Sequence, residues 1–184
     1  MIPRMSASMT ESSLSLSVVV VREAAADAAA VERLAERAFG PGRFARTAYR
    51  LREVAEPDWD LCFVARVSTL LVGANRMTPI RIGDAPALML GPLTVDPAFR
   101  GRGIAAGLVV RSLDAARAAG HGLVMLVGDE PYYRRFGFAR APAGRLQMPG
   151  PVDAARVLWC ELAPGASAAA SGPVGARRGA VPPA

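Results

Sequence analysis

The stretch of the sequence with the clearest chemical character is Arg-Gly-Arg-Gly at residues 100–103, between a strand-like run and a helix-like run. A helix that starts at Gly103 leaves its first backbone N–H groups without internal partners, and its dipole adds partial positive charge there. Gly101 and Gly103 let a ligand approach the backbone closely. Arg100 and Arg102 add full positive charges. The stretch therefore predicts a cradle for an anion, most naturally a pyrophosphate.

Three other interpretations of this stretch are a P-loop, a dinucleotide-binding fingerprint and a helix start that binds no ligand. A P-loop requires a GxxxxGK[ST] motif, and the sequence contains no lysine, which excludes it. A dinucleotide-binding fingerprint fits GRGIAA as GxGxxA, with Asp129 near the position of its ribose-binding acid. That fingerprint follows its strand directly, whereas DPAFR separates the strand from the glycines here. A glycine-rich helix start that binds nothing is the remaining alternative.

The net charge of +6 and the pI of about 10.5 favour an anionic partner, either nucleic acid, an acidic surface or a phosphate-bearing cofactor. All 22 basic residues are arginines, and they form no run of five or more. Aromatic residues make up only 6% of the chain, too few for interleaved stacking platforms. We therefore expect no nucleic-acid partner.

The histidine and cysteine content limits which catalytic and metal sites are possible and indicates the redox state of the protein's compartment. His121 is the only histidine, so we expect neither a His-based triad nor a metal. Cys62 and Cys160 lie in apolar, strand-like segments without a CxxC partner, as buried free thiols in a reducing compartment would. No apolar run reaches transmembrane length, and the short one near the N-terminus fits a strand better than a signal peptide. We expect a cytoplasmic protein without a membrane partner.

The apolar periodicity predicts the elements that position the Arg/Gly stretch. Predicted strands cover residues 15–23, 60–67, 69–80, 85–95, 122–127, 145–148 and 155–162, and predicted helices cover residues 27–39, 43–53, 103–120 and 130–136. A helix between two consecutive buried strands requires a right-handed parallel crossover, and the other connections suit antiparallel pairing. The order predicts a mixed α/β fold in one domain at residues 14–163. A flexible arm at 1–13 precedes it, and a disordered Ala/Gly/Pro-rich tail at 164–184 follows.

Two motifs at this spacing resemble a known family. The segment VDPAFRGRGIA resembles the acetyl-CoA signature of the GNAT N-acetyltransferase superfamily, a V-x-P strand end followed by R/Q-x-x-G-x-G/A. Arg100, Gly103 and Ala105 fill its fixed positions. PYYRRFGF, at 131–138, is similar to the family's F-Y-x-x-x-G-F helix. Together with the element order, the resemblance covers residues 15–163 and implies a single-domain acyl-CoA N-acyltransferase fold.

The resemblance implies where acetyl-CoA would bind. The pyrophosphate would lie on the backbone amides of residues 101–105. The pantetheine arm would pair with Leu93 to Val95 as an extra strand does, beside a bulge marked by Pro92. The Leu93 amide would donate to the thioester oxygen. The implied cofactor-binding residues are Leu93, Thr94, Val95, Arg100, Gly101, Arg102, Gly103, Ile104, Ala105, Asp129 and Phe136.

The resemblance also implies a proton donor for the departing thiolate. The family's general acid corresponds to Tyr133, and Tyr132 is the alternative. The base that deprotonates the amine is open between Asp129, Glu130 and a chain of water molecules. Many members carry an asparagine where this chain has Leu126, so one pantetheine contact is either lost or replaced by Asp129.

The resulting hypothesis is transfer of an acetyl group from acetyl-CoA to a primary amine in a ternary complex. The acceptor is a small-molecule or peptide amine, and the protein is a monomer or a homodimer. A non-catalytic acyl-CoA sensor or interaction module of the same fold is the alternative, and a nicotinamide-dinucleotide binder is a third. The sequence identifies no acceptor.

Overall fold

The computed structural model describes residues 17–40, 51 and 55–176. Its strands are β1 (Val18–Arg22), β2 (Phe63–Val67), β3 (Leu70–Ile82), β4 (Ala85–Val95), β5 (Leu123–Val127), β6 (Ala139–Arg140), β7 (Leu146–Gln147), β8 (Val157–Glu161) and β9 (Gly172–Ala176). Its helices are α1 (Ala28–Phe39), α2 (Ile104–Ala118) and α3 (Glu130–Tyr133), and a 3-10 turn continues α3 through Arg134–Phe136. The predicted arm at 1–13 lies outside the described residues, as does the predicted helix at 43–53 apart from Leu51.

The described strands form a mixed sheet, as the element order predicts. Strands β1 to β4 form an antiparallel meander, and β4 and β5 run parallel on either side of the α2 crossover. Strand β8 pairs antiparallel with β5 and with the short β6. Among the described helices, none has the length and apolar character needed to cross a membrane.

The sheet is covered on both faces. Val31 and Leu34 of α1 pack on Val64, Leu71 and Ala74 of one face. The apolar stripe of α2 covers the other face, with contacts to β2, β3, β4 and β5. Burial of these stripes is the main force that fixes both helices on the sheet, at roughly 25 cal/mol per Å² of apolar surface.

A bulge in β4 interrupts its pairing with β3. Asn75 pairs with Leu93 and Met77 pairs with Leu90, so the single residue between them on β3 faces both Gly91 and Pro92. Pro92 has no N–H to donate to a neighbouring strand, which suits this position. The structure thus confirms the bulge expected at Pro92.

The pairing of strands β4 and β5 ends just before the bulge. In the described structure they pair only at Leu88 with Val124 and at Met89 with Met125, although β4 continues to Val95. The last residues of β4 therefore present backbone groups toward a cleft rather than toward β5. Unpaired strand edges of this kind accept an extended ligand as an additional strand.

The sequence predicts disorder from residue 164, but residues 164–176 fold against the domain. We call this segment the C-terminal strap. Its strand β9 pairs antiparallel with the far end of β3 and parallel with β7. Ala170 and Val174 are buried, and the guanidinium of Arg145 donates to the carbonyl oxygens of Ser167, Ala168 and Ala170. Backbone pairing, Arg145 and the Glu161 carboxylate, which accepts from the Ser167 amide at 2.7 Å, thus hold a segment that lacks large apolar side chains. Residues 177–184 lie outside the described residues.

Candidate active site

The Arg/Gly stretch forms an open loop at the start of α2. Gly101 and Gly103 have φ angles of 74° and 76°, the left-handed region that favours glycine. A Cβ atom built at either glycine would meet no other atom within 4 Å. Arg100 and Arg102 are exposed beside them. The loop therefore has the open space and the positive charge that a pyrophosphate requires.

Close packing fixes the position of this loop on the sheet. Ile104, the first residue of α2, is buried against Gly73 of β3. A Cβ atom at Gly73 would lie 2.9 Å from Ile104 Cγ2 and 3.0 Å from Leu108 Cδ1. The absence of a side chain at Gly73 is what lets the first turn of α2 approach the sheet. The predicted ligand-binding residue Ile104 thus acts as an anchor beneath the loop.

A shallow cavity of about 240 Å³ lies beside the last residues of β4. Its lining residues are Ala38, Phe39, Leu93, Thr94, Val95, Arg100, Ala105 and Tyr132. Five of the residues implied by the resemblance therefore share one cavity. Ala38 and Phe39, at the end of α1, were not expected, because only tertiary packing brings the end of α1 to β4.

The remaining predicted residues lie outside that lining. Gly101, Arg102 and Gly103 form the exposed loop next to it, and Arg102 lies over the ring of Phe99 at 5.8 Å. Phe136 packs against the apolar cluster beneath α2. Two parts of the expected binding surface, the loop and the end of β4, are thus contiguous through Arg100.

An ion pair holds the end of α1 against the end of β4. The Nη2 atom of Arg37 lies 3.2 Å from Asp96 Oδ2, immediately after Val95. The other carboxylate oxygen of Asp96 accepts a hydrogen bond from the Ala98 amide at 3.0 Å. Asp96 therefore caps a turn and also positions the α1 wall of the cavity.

The two tyrosines have different surroundings. Tyr132 lines the cavity, and the guanidinium of Arg135 lies 4.3 Å from the centre of its ring. Tyr133 packs edge-on against Phe138, and its ring lies against Gly128, where a Cβ atom would be 2.4 Å from Tyr133 Cε2. The structure thus brings Tyr132 to the cavity lining and packs the ring of Tyr133 between the end of β5 and the core.

Burial raises the pKa of Tyr133 to about 12, with smaller contributions from Tyr132 and Asp129. Its phenol is therefore neutral at physiological pH and carries a proton. Burial also raises the pKa of the Cys62 thiol to about 12. The buried thiol of Cys62 and the phenol of Tyr133 thus have similar pKa values.

The two acidic residues at the start of α3 are both paired with arginines. Glu130 contacts Arg134 and Arg140, and the hydrogen bond from Arg134 is the main cause of a lowered Glu130 pKa. Asp129 is exposed and lies 3.3 Å from Arg156. Within the described ranges no group of histidine, cysteine and acidic side chains could hold a metal ion.

A bulge within β4, a parallel strand pair that ends before it and a glycine-rich helix start match the acyl-CoA N-acyltransferase type of fold that the resemblance implies. The model of the acetyltransferase (GNAT) domain matches residues 21–141. The chain belongs to the GNAT acetyltransferase family. The uncharacterized N-acetyltransferase YhbS of Escherichia coli strain K12 is 31% identical over a 136-residue alignment that covers 71% of this chain and 80% of YhbS.

Solved structures agree with this assignment. The crystal structure of YhbS from Escherichia coli in complex with CoA is 29% identical and superposes with a TM-score of 0.73, covering 88% of this chain and 91% of that one. A GNAT family acetyltransferase from Brucella melitensis in complex with acetyl-CoA is 28% identical, with a TM-score of 0.62 and coverage of 81% and 90%. Structures of similar chains thus contain CoA or acetyl-CoA.

Proposed function

We propose that the protein transfers an acetyl group from acetyl-CoA to a primary amine. The observation that carries this proposal is the continuity between the Gly101–Gly103 loop and the end of β4, which pairs with β3 on one edge but leaves its edge toward β5 unpaired. A ligand with a pyrophosphate at one end and an extended amide-containing arm at the other fits both. The loop residues would hold the pyrophosphate, and Leu93 to Val95 would pair with the pantetheine arm. The CoA-bound relatives support this assignment.

In the proposed reaction both substrates are bound together. The amine nitrogen attacks the thioester carbonyl carbon, and the Leu93 amide donates to the oxygen as it gains negative charge. The carbon–sulfur bond then breaks, and CoA leaves as a thiolate. The products are the acetylated amine and CoA.

Tyr133 is the proposed donor of the proton that the thiolate takes up. A free thiol has a pKa of about 8.5, well below the pKa of about 12 that burial gives Tyr133, so donation to a solvated thiolate is unfavourable. Desolvation raises a thiol pKa as it does for Cys62, and a thiolate desolvated by the bound substrates would then accept the proton more readily. Glu130 is a weak base because arginines stabilise its charged form. Asp129 is already paired with Arg156. We therefore propose that water takes the proton of the amine.

Calorimetric titration with acetyl-CoA tests the binding half of the proposal. We expect saturable binding, and no detectable heat at millimolar ligand would exclude the function. Thiol release with a panel of amines tests the transfer half. A protein that binds acetyl-CoA and acetylates none of the amines would support the alternative of a sensor. The proposal includes a cytoplasmic location, in keeping with two free buried cysteines.

Variants of the two tyrosines test the assignment of the acid. We expect Tyr133→Phe to lower kcat by about 100-fold, which is within the usual contribution of a general acid. Tyr132→Phe keeps the ring that lines the cavity and is expected to retain most of the activity. The reverse order of the two effects would move the role of the acid to Tyr132.

A further inference from the structure

Asn75 of β3 is a buried polar residue with no place in the loop or in the cavity lining. Its side chain is 0% exposed, and its Nδ2 atom donates to Ser112 Oγ of α2 at 2.7 Å. Ser112 is also 0% exposed. The Oδ1 atom of Asn75 is buried without a hydrogen-bond partner. An unsatisfied buried oxygen is destabilising compared with an apolar group of similar shape, so this amide is not explained by stability.

The position of Asn75 in the sheet suggests what the amide does. Asn75 is the register partner of Leu93, at the last regular pair before the bulge. Strand β5 pairs with β4 only as far as Met89, so β3 is the strand that holds Leu93 in place. Any displacement of β3 at Asn75 is therefore passed on to Leu93.

Ser112, the hydrogen-bond partner of Asn75, lies on α2, the helix that follows the Gly101–Gly103 loop. Ser112 and Ile104 belong to the same helix, and Ile104 follows Gly103 directly. One buried hydrogen bond thus connects the register partner of Leu93 to the helix that begins at the loop. Acetyl-CoA bound as proposed would extend from the loop to Leu93. The distance between the loop and Leu93 therefore decides where the thioester lies.

We propose that Asn75 is a positioning residue for acetyl transfer. Its hydrogen bond to Ser112 fixes β3 at Leu93 relative to α2, and so holds the thioester-facing backbone of β4 at the correct distance from the pyrophosphate loop. This inference rests on the proposed function. A misplacement of about 1 Å at a reacting centre can lower a rate by about 100-fold. Loss of the link therefore affects the chemical step more than it affects binding of CoA.

Three variants and one matched control test the role of Asn75. Asn75→Leu replaces the side-chain amide with an apolar side chain of the same branched shape. Ser112→Ala removes the hydroxyl that accepts from Asn75 and adds no volume. The third variant combines both substitutions. Thr78→Val is the control. Thr78 lies on the same strand, is 0% exposed and has an unpartnered Oγ1, but its register partner is Met89, where β4 and β5 are still paired.

We expect Asn75→Leu to lower kcat at least about tenfold, with a calorimetric Kd for CoA within about twofold of wild type and an unchanged melting temperature. Ser112→Ala should lower kcat in the same way, and it carries the test if the leucine variant folds poorly. The double variant should be no worse than the more affected single one. Thr78→Val should keep wild-type kcat.

Two results would overturn the proposal. One is wild-type kcat in both Asn75→Leu and Ser112→Ala. The other is a parallel loss of kcat, CoA affinity and melting temperature, which general loosening of the core would produce. Amide hydrogen exchange in the ligand-free protein gives a test independent of catalysis. Exchange at residues 93–95 should be faster in Asn75→Leu than in Thr78→Val, and equal rates would contradict the link. Failure of wild type to bind CoA would instead exclude the proposed function.

Discussion

The buried carboxylate of Glu23 holds the guanidinium of Arg76 through hydrogen bonds of 2.5, 3.0 and 3.1 Å. Glu32 of α1 accepts from Nη1 of the same guanidinium at 3.1 Å. Arg76 is the residue of β3 that faces the bulge of β4. The ion cluster therefore joins the end of β1, the helix α1 and the strand beside the cleft.

The two carboxylates around Arg76 should differ in their contribution to stability. The Glu23 side chain is 0% exposed, the Arg76 side chain 13% and the Glu32 side chain 53%. We expect Glu23→Gln to lower the free energy of unfolding by about 3 kcal/mol, because it leaves the Arg76 charge buried with one exposed partner. Glu32→Gln is the matched control, with an expected loss below about 1 kcal/mol. Urea unfolding measures both, and equal losses would contradict this account.

Alanine variants of two glycines at opposite ends of α2 distinguish the effect of backbone strain from the effect on ligand binding. Gly103 and Gly120 have φ angles of 76° and 81°, and a Cβ atom at either would meet nothing within 4 Å. Alanine at either position should cost about 1 kcal/mol of stability through strain. Only Gly103→Ala should also weaken binding of acetyl-CoA, by about tenfold, because its methyl group would obstruct the pyrophosphate. An equal loss of affinity in Gly120→Ala would remove the loop from the binding site.

The raised pKa of Tyr133 predicts a loss of stability at high pH. Its pKa of about 12 in the folded protein exceeds the value of about 10 for a free phenol. Ionisation therefore favours the unfolded chain as pH rises from about 10 to about 12, by at most about 2 to 3 kcal/mol. Below pH 10 the phenol is neutral in both states and contributes no pH dependence.

Ultraviolet titration of the phenolates measures this ionisation directly. One phenol should titrate near pH 12 in the wild type, and that step should be missing in Tyr133→Phe. The buried thiol of Cys62 also destabilises the fold at alkaline pH, so stability curves should be compared between wild type and Tyr133→Phe alone. A Tyr133 midpoint near 10 would show that its hydroxyl is solvated.

The strap should depend on Arg145. Its guanidinium donates to three strap carbonyl groups at distances of 2.5 to 3.0 Å. We expect Arg145→Met to lower stability by about 2 kcal/mol and to speed hydrogen exchange at Val174 in β9. Arg140→Met, which removes an exposed ion pair to Glu130, is the control and should leave that exchange unchanged. Unaltered protection of Val174 in both variants would show that Arg145 does not hold the strap in place.

Strong periodicity accounts for the elements that could be predicted from the sequence. The expected helix at 103–120 is observed at Ile104–Ala118, and the expected strand at 85–95 has the observed bounds of β4. In both segments the apolar spacing and the flanking glycines indicate the same structure. The Gly101–Gly103 loop could be located for the same reason, because it lies where the apolar pattern changes from that of a strand to that of a helix.

The parts that were missed depend on tertiary contacts. Phe39 reaches the cavity because α1 crosses β4, which no local pattern records. Neighbouring residues of a helix point about 100° apart, so the sequence alone could not say which of Tyr132 and Tyr133 would line the cavity. The strap was missed because alanine and glycine carry no apolar periodicity, although they fit close to a sheet edge.

The pairing of β9 with β3 has a consequence for the synthesis of the chain. Strand β3 extends past its partner β2, and its far end pairs with β9 at Ile80, Arg81 and Ile82. On the ribosome this edge of β3 emerges long before its partner, because β9 is the last described strand. A nascent domain that has formed β3 would therefore carry an open sheet edge that neighbouring nascent chains can pair with until the strap is made.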